Sequence, residues 1–391
     1  MNNIKAVIDW LVDGAQSATT AEDVLAELCW RMVECDLPLW RVAVFVRTLH
    51  PHVAGRRFLW HRESGVSISE APFDLLETDE FRGSPVAAIY ETCAPLRRRL
   101  SDGKCPDDFP FLRDLRAQGA TDYVGFPLRF TDGTIHISTW ATRRPGGFTT
   151  KQFADIQSII APLARVAEVR ALRRTATNLL NTYVGRQAGE RILAGRIRRG
   201  HIEEICAAIW LSDMRGFTTL SEQLPSEDLI DLLNRYFECQ VPTILKHGGE
   251  VLKFMGDGLL AIFTLSADGT DISEVCRRAL TAAREVEVLV SGLDVPGPAA
   301  KHDIVRFGLA LHVGQVKYGN IGGGDRLDFT CIGPAVNLSA RLEKIAAKLC
   351  KTVVASAEFV ANFPDEFVPL GEFPVAGFAA PQLVFGLHDK N

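Results

Sequence analysis

Along the second half of the chain, apolar and polar positions switch repeatedly between strand and helix periods. "ICAAIWLSDM" (205–214) is a nearly continuous apolar run of strand length. "PSEDLIDLLNRYFECQV" (225–241) puts Leu229, Leu232, Leu233, Tyr236 and Phe237 on one helical face, with acidic residues in the first turn. Pro242 breaks that pattern and predicts a kink or a tighter second piece; "HGG" (247–249) stops the helix. "EVLKFM" and "LLAIF" flank Gly256-Asp257-Gly258 and predict a hairpin, and a helix follows over 273–290. Strands are predicted at 304–314, 315–321 and 326–333, a helix at 335–349, and short strands at 366–387. The order βαββαβ followed by further βα is that of a ferredoxin-like, split-βαβ palm of the α+β class.

The first part of the chain also mixes helix and strand. "AEDVLAELCWRMVE" (21–34) has helical spacing, with Thr19 or Thr20 as cap. Residues 40–49 and 56–64 are strand candidates, and 122–130, "TDG" and 134–143 form a hairpin. A long closing helix is expected over 149–172. This element order, with "FPLRFTDGTIHISTW…GGFTTKQFADI", resembles GAF/PAS sensor domains; an α+β domain that only helps oligomerise fits equally, and no ligand residues are indicated. Residues 160–200 are arginine-rich with a broken apolar stripe, which suits either a short coiled coil between protomers or a solvated helix. "GRIRRG" (195–200) marks a boundary, giving a regulatory domain at 1–160, a helical linker at 161–200 and a catalytic domain at 201–391.

Composition narrows the picture. The hydrophobic share is 47%, the charged share 23% and the net charge −5, as in a soluble globular protein with no nucleic-acid partner. No apolar run approaches the about eighteen residues of a membrane span. Asp9 and Asp13 interrupt the first apolar stretch and argue against a signal peptide. The nine cysteines are scattered without a CxxC pair, as expected of reduced thiols in a cytoplasmic protein.

Six positions carry candidate chemistry: Asp213, Lys253, Asp257, Thr330, Asn337 and Arg341. Asp257 between glycines is a strong hairpin signal, because both central positions of such a turn need positive φ. A bare turn and a metal site both fit it. Asp213 ends a strand before "MRGFTTLSE", where Gly216 frees the backbone and Thr218 opens the next helix; the residue reads as a helix cap or as a metal ligand beside a phosphate site. In a split-βαβ sheet the two carboxylates converge. At about 4 Å they repel by about 1 to 4 kcal/mol, and a divalent cation relieves that. Taken alone, Lys253 is an edge lysine reaching for solvent, Thr330 an ordinary strand threonine, and Asn337 and Arg341 one solvated helix face.

Together, "WLSDMRGFTTLSE", "HGGEVLKFMGDGLLAIF", "FGLALHVGQVKYGNIG" and "DFTCIGPAVNLSARLE" resemble the four signature blocks of class III nucleotidyl cyclases, in the family's order, across about 205–350. "NTYVGRQAGERILAGRIRRG" resembles the entry to bacterial adenylate cyclase domains. The resemblance implies that Asp213 and Asp257, with the Met214 carbonyl, hold two ions of Mg2+ or Mn2+ per site, and that amides around Gly216, Phe217 and Thr218 hold the terminal phosphates. It implies that Lys253 and Thr330 read the purine, a pairing that favours ATP over GTP. It assigns Asn337 to the ribose and Arg341 to the α-phosphate, with Arg306 a looser phosphate contact. It further implies a head-to-tail homodimer with sites at the interface.

The expected function is adenylate cyclase, making 3′,5′-cyclic AMP and pyrophosphate from ATP; the alternatives are a guanylate cyclase or a degenerate regulatory partner. Two departures stand out. Pro334 replaces the usual acidic or amide residue, which a helix start tolerates. Ala376 stands where the family often has a lysine that grips the leaving phosphates, leaving Arg198, Arg199 or Arg306 as substitutes.

Overall fold

The computed structural model describes residues 3–49, 53–102, 105–198, 200–265, 271–296, 304–324 and 326–388. Two compact units divide the chain, Met1–Leu179 and Leu180–Asn391. Among the described residues no helix is long and apolar enough to cross a membrane.

The N-terminal unit is α+β. Its elements are α1 (Ile4–Val12), α2 (Ala21–Glu34), β1 (Arg41–Arg47), β2 (Gly55–His61), β3 (Gly65–Ala71), α3 (Asp79–Arg82), α4 (Pro85–Thr92), β4 (Leu96–Arg98), α5 (Pro110–Ala117), β5 (Asp122–Arg129), β6 (Ile135–Thr142) and α6 (Thr150–Val184). Thr20 caps α2 in a reciprocal arrangement with Asp23. The strands form one antiparallel sheet in the order β3-β2-β1-β6-β5-β4. Alternation along β1 sends Val42, Val44 and Val46 into a core with Leu28, Ile156 and Leu163, leaving Arg41, Phe45 and Arg47 for the opposite face. Helix α6 runs twelve residues beyond the expected end at 172, to Val184. Val169, Leu172 and Leu179 along it are exposed.

The C-terminal unit contains α7 (Arg186–Leu193), β7 (Ile202–Met214), α8 (Phe217–Gln223), α9 (Ser226–Lys246), β8 (Gly249–Met255), β9 (Gly258–Thr264), α10 (Ile272–Ser291), β10 (Phe307–Gly323), β11 (Arg326–Ile332), α11 (Pro334–Lys348), β12 (Val353–Ser356), α12 (Ala357–Val360), β13 (Phe367–Phe373) and β14 (Gln382–Leu387). The strand order is β13-β14-β12-β10-β7-β9-β8, with β11 paired to β10. Its β10-β7-β9-β8 portion is antiparallel throughout and is the expected split-βαβ palm. On one face α9 and α10 bury Trp210, Tyr236, Phe263 and Val286. On the other, Ile209, Leu211, Leu260 and Ile262 meet Ala188 of α7 and Phe329 and Cys331 of β11.

Three local expectations change. Helix α9 continues through Pro242, because the next turn buries Thr243 and Ile244 against the sheet and packing holds the helix. The strands expected at 304–314 and 315–321 are one strand, β10, kept continuous by pairing with β7 from Phe307↔Met214 to Gly319↔Ile202. The β8–β9 turn is centred on Gly256 and Asp257, and only Gly256 is left-handed, at φ 70°. Glycine at the first central position suffices for this turn, so Asp257 needs no positive φ.

Candidate active site

Strand β7 and the β8–β9 turn end side by side, since Ser212 pairs with Leu259 and Met255 with Gly258. This places Asp213 and Asp257 within hydrogen-bonding reach of each other. Burial, then the charges of Asp257 and Glu343, push the Asp213 carboxyl up to about 7, against a smaller opposing pull from Arg215. Two half-buried carboxylates sharing space in this way fit a divalent cation. Among the described residues no group of three or more His, Cys, Asp or Glu is placed to hold a metal ion together. A cation held by Asp213 and Asp257 alone would take the rest of its shell from backbone carbonyls, phosphates and water, as magnesium does. Met214 itself is buried.

Beyond Asp213 the chain turns at Gly216, left-handed at φ 73°, and α8 begins at Phe217. Thr218 is exposed at that start. Arg215 takes a path that the sequence did not signal. Its guanidinium crosses the backbone of β10 at Gly308, where a Cβ would fall 1.6 Å from Nη2. It then donates to Glu343 of α11 at 2.5 Å. The pair is mostly buried, with side-chain exposures of 20% and 8%. Arg306 is exposed, and its carbonyl accepts from the Arg215 amide at 2.8 Å.

Helix α11 begins at Pro334, as a proline at the first helical position allows. Asn337 and Arg341 share its exposed side, four residues apart. Glu343, two residues or about 200° further round, is buried against Arg215. One edge of α11 therefore grips the chain's own Asp213 loop while Arg341 faces away from it.

The purine-side candidates also come together. Hairpin β10–β11 brings β11 to β8, where Lys253 Nζ bonds Asp328 Oδ2 at 3.0 Å. A bulge at Leu252 shifts the β8 register, so Lys253 opposes Leu260 while Val251 opposes Ala261. Val251 packs into the helix-side core and Leu260 belongs to the other face. Lys253 and Val251 therefore lie on opposite faces, whereas uninterrupted alternation puts them on one. Thr330 is buried at 5% exposure, and its hydroxyl has no hydrogen-bond partner among the described residues. Asp328 and Thr330, two apart on β11, share a strand side. Period-2 spacing from Thr330 was the available signal for Asp328; nothing local in the sequence announces Arg215 or Glu343, which are 128 residues apart.

Ala376 lies exposed beyond β13. Arg198 is exposed, and Arg199 lies outside the described residues.

The sequence profile of the adenylate and guanylate cyclase catalytic domain matches residues 201–388. These residues form a class III nucleotidyl cyclase catalytic domain. Adenylate cyclase 1 of Rhizobium meliloti is 28% identical over 234 residues, covering 57% of this chain and 34% of that protein. This chain thus spans about a third of that relative's length. The crystal structure of the adenylyl cyclase CyaB from P. aeruginosa is similar at 28% identity, 49% of this chain, 97% of that one and a TM-score of 0.40. A guanylyl cyclase structure is similar at 26% identity, 48% and 93% coverage and a TM-score of 0.41. In the cyclase domain, then, the candidate residues form two groups: Asp213, Asp257, Arg215 and Glu343 at the end of the palm, and Lys253, Asp328 and Thr330 where β11 meets β8.

Proposed function

We propose that the chain is an adenylate cyclase that converts ATP to 3′,5′-cyclic AMP and pyrophosphate in a head-to-tail homodimer. The observation that carries the substrate choice is the pairing of a lysine, Lys253, with a buried threonine hydroxyl left without a partner, Thr330, on strands brought into contact by Asp328. A buried hydroxyl both donates and accepts, and an adenine edge offers an amino group and ring nitrogens that satisfy such a group and an ammonium together.

Asp213, Asp257 and the Met214 carbonyl would hold two Mg2+ or Mn2+ ions. When bound, these supply a more acidic ribose 3′-hydroxyl and neutralise phosphate charge. The amides at Gly216, Phe217 and Thr218 would orient the terminal phosphates at the start of α8, with Arg306 at their flank. Asn337 would fix the ribose, and the planar guanidinium of Arg341 would donate to the α-phosphate as its charge spreads during in-line attack. Catalysis is then positioning and electrostatics rather than covalent chemistry.

The split between the groups supports the homodimer. Arg341 is exposed and turned away from its own Asp213, so a second copy is the natural source of the carboxylates it serves. The exposed Val169, Leu172 and Leu179 of α6 are spaced for a helix pairing that would hold such a dimer. In this reading the N-terminal unit is regulatory, GAF/PAS-like, and the enzyme works in the cytoplasm. Cyclic nucleotide formation by the purified chain with ATP or GTP, and with Mg2+ or Mn2+, tests the reading. Cyclic AMP from ATP is expected; preferential cyclic GMP from GTP makes it a guanylate cyclase, and no product from either makes it a degenerate partner.

A further inference from the structure

The face of the N-terminal sheet that turns away from α2 and α6 carries arginine where a packed face carries apolar residues. Along β1, Arg41, Phe45 and Arg47 point to this side, and Arg57 of β2 pairs opposite Phe45. These side chains border a cavity of about 400 Å³ between the sheet and the segment from Leu75 to Tyr90. That volume is within the range of small-molecule sites. Phe45, Leu75, Phe81 and Phe111 make much of its wall apolar.

Among the described residues its buried charge is not fully compensated. Arg41 is buried, at 7% exposure, and among the described residues it has no carboxylate partner; its guanidinium lies over the Phe111 ring at 5.3 Å. The Arg57 Nε is buried and, among the described residues, lacks a hydrogen-bond partner. Arg47 lies over Tyr90 at 4.6 Å. Of the two carboxylates on the lining, Glu70 is taken by Arg56 and Glu80 is exposed. Burial, with the charge of Arg57 adding to it, lowers the Arg41 pKa from its ordinary value. A buried, unpaired cation is among the most expensive groups a fold can hold, and proteins keep such groups when something outside the chain pairs with them.

We propose that this cavity binds a small organic anion, its carboxylate, phosphate or sulfonate head on Arg41 and Arg57 and its apolar or aromatic body along Phe45, Phe81 and Phe111. The head satisfies the unpartnered guanidinium donors, which are matched to a planar or tetrahedral oxyanion. The body replaces water on the aromatic wall. This site is separate from the cyclase chemistry, and its test involves no turnover, so the two readings fail independently.

The probes are anilinonaphthalene sulfonate and phenylnaphthylamine, the same body with and without the anionic group, titrated by fluorescence into the full chain. The sulfonate is expected to bind one per chain and to weaken by about tenfold or more in Arg41→Met and in Arg57→Met, as loss of a charge-assisted hydrogen bond dictates. The neutral parent is expected to bind more weakly and to ignore both substitutions. Equal binding of the two probes, or unchanged sulfonate affinity in both variants, overturns the proposal. The melting midpoint of the probe-free protein guards against a misfolded variant. Arg41→Met should raise it, because an unpaired buried cation is gone; a fall means that the fold already satisfies the guanidinium and overturns the proposal as well.

Discussion

Lys253 Nζ and Asp328 Oδ2 lie 3.0 Å apart, joining β8 to β11 across the face of the palm. The resemblance to class III cyclases implies a purine partner for Lys253; the structure gives it a carboxylate that stands two residues before Thr330. Both partners are partly exposed, at 38% and 57%, so the pair adds only about 0–1 kcal/mol to stability. Its value is positional: it aims a flexible ammonium at the strand that carries Thr330.

Asp328→Asn should therefore raise the KM for ATP by about fivefold, corresponding to about 1 kcal/mol of lost ground-state binding, and leave kcat near wild type. Discrimination against GTP should fall with it, while the melting midpoint stays put. Steady-state kinetics with both triphosphates read this out. A lower KM would mean that Asp328 competes with the base for Lys253.

Asp213 and Asp257 give a prediction with an acid–base sign. The Asp213 carboxyl rises from the ordinary carboxylate value to about 7, chiefly by burial and then by Asp257. A raised carboxyl pKa favours the fold while the group is protonated, so the metal-free protein loses that stability as pH rises from about 4 through 7. Magnesium should therefore raise the melting midpoint at pH 8 and do little at pH 5. Asp257→Ala should abolish turnover and also remove most of the magnesium effect at pH 8. A magnesium shift of equal size at both pH values would separate the cation from these carboxylates.

Arg341 and Asp257 test the shared site. Arg341→Ala should reduce kcat by about 10²–10³-fold if its guanidinium donates in the transition state. Mixing it with Asp257→Ala protein should restore activity to about a quarter of wild type, since half the dimers are mixed and each holds one intact site. No recovery on mixing, with exchange of protomers verified, would place both residues in one protomer's site.

Arg215 and Glu343 join the carboxylate loop to α11 inside one chain. Glu343→Ala leaves the Arg215 guanidinium buried without its partner and should destabilise the C-terminal unit by about 3–5 kcal/mol. Arg215→Met combined with Glu343→Leu should recover most of that loss. Denaturant unfolding of Arg215→Met, of Glu343→Leu and of the variant carrying both measures the coupling, and additive losses would argue against the pair.

The sequence made the palm legible because its strands and helices carry clean periods, and it made Asp213 and Asp257 legible because a strand end and a glycine turn are local signals. Less visible was anything fixed by distant packing. Pro242 stays helical because Thr243 and Ile244 are buried beyond it. Lys253 faces away from Val251 because a bulge at Leu252 resets alternation, and no residue there advertises a bulge. Arg215 reaches Glu343 only because Gly308 lacks a Cβ, a relation among three elements that periodicity does not contain.

His136 of β6 carries the last prediction. The backbone N–H of Arg47 donates to its Nδ1 at 3.0 Å, which fixes that nitrogen as an acceptor. The proton then belongs on Nε2, 3.2 Å from the Thr134 hydroxyl. The ring packs on Phe130 with centroids 3.9 Å apart and is buried at 4% exposure. Burial pushes the His136 pKa down to about 4, only partly opposed by Asp132. The folded chain therefore keeps the imidazole neutral, whereas the unfolded chain protonates it near pH 6.5. Stability from this residue is complete above about pH 6.5, declines as pH falls and is gone below about 4, a span of about 3 kcal/mol. His136→Asn keeps an acceptor for the Arg47 amide and carries no titrating ring. Urea unfolding from pH 7 to pH 4 should show wild type losing about 3 kcal/mol more than the variant over that interval. Parallel curves for the two proteins would mean that His136 protonates in the folded chain as readily as in the unfolded one.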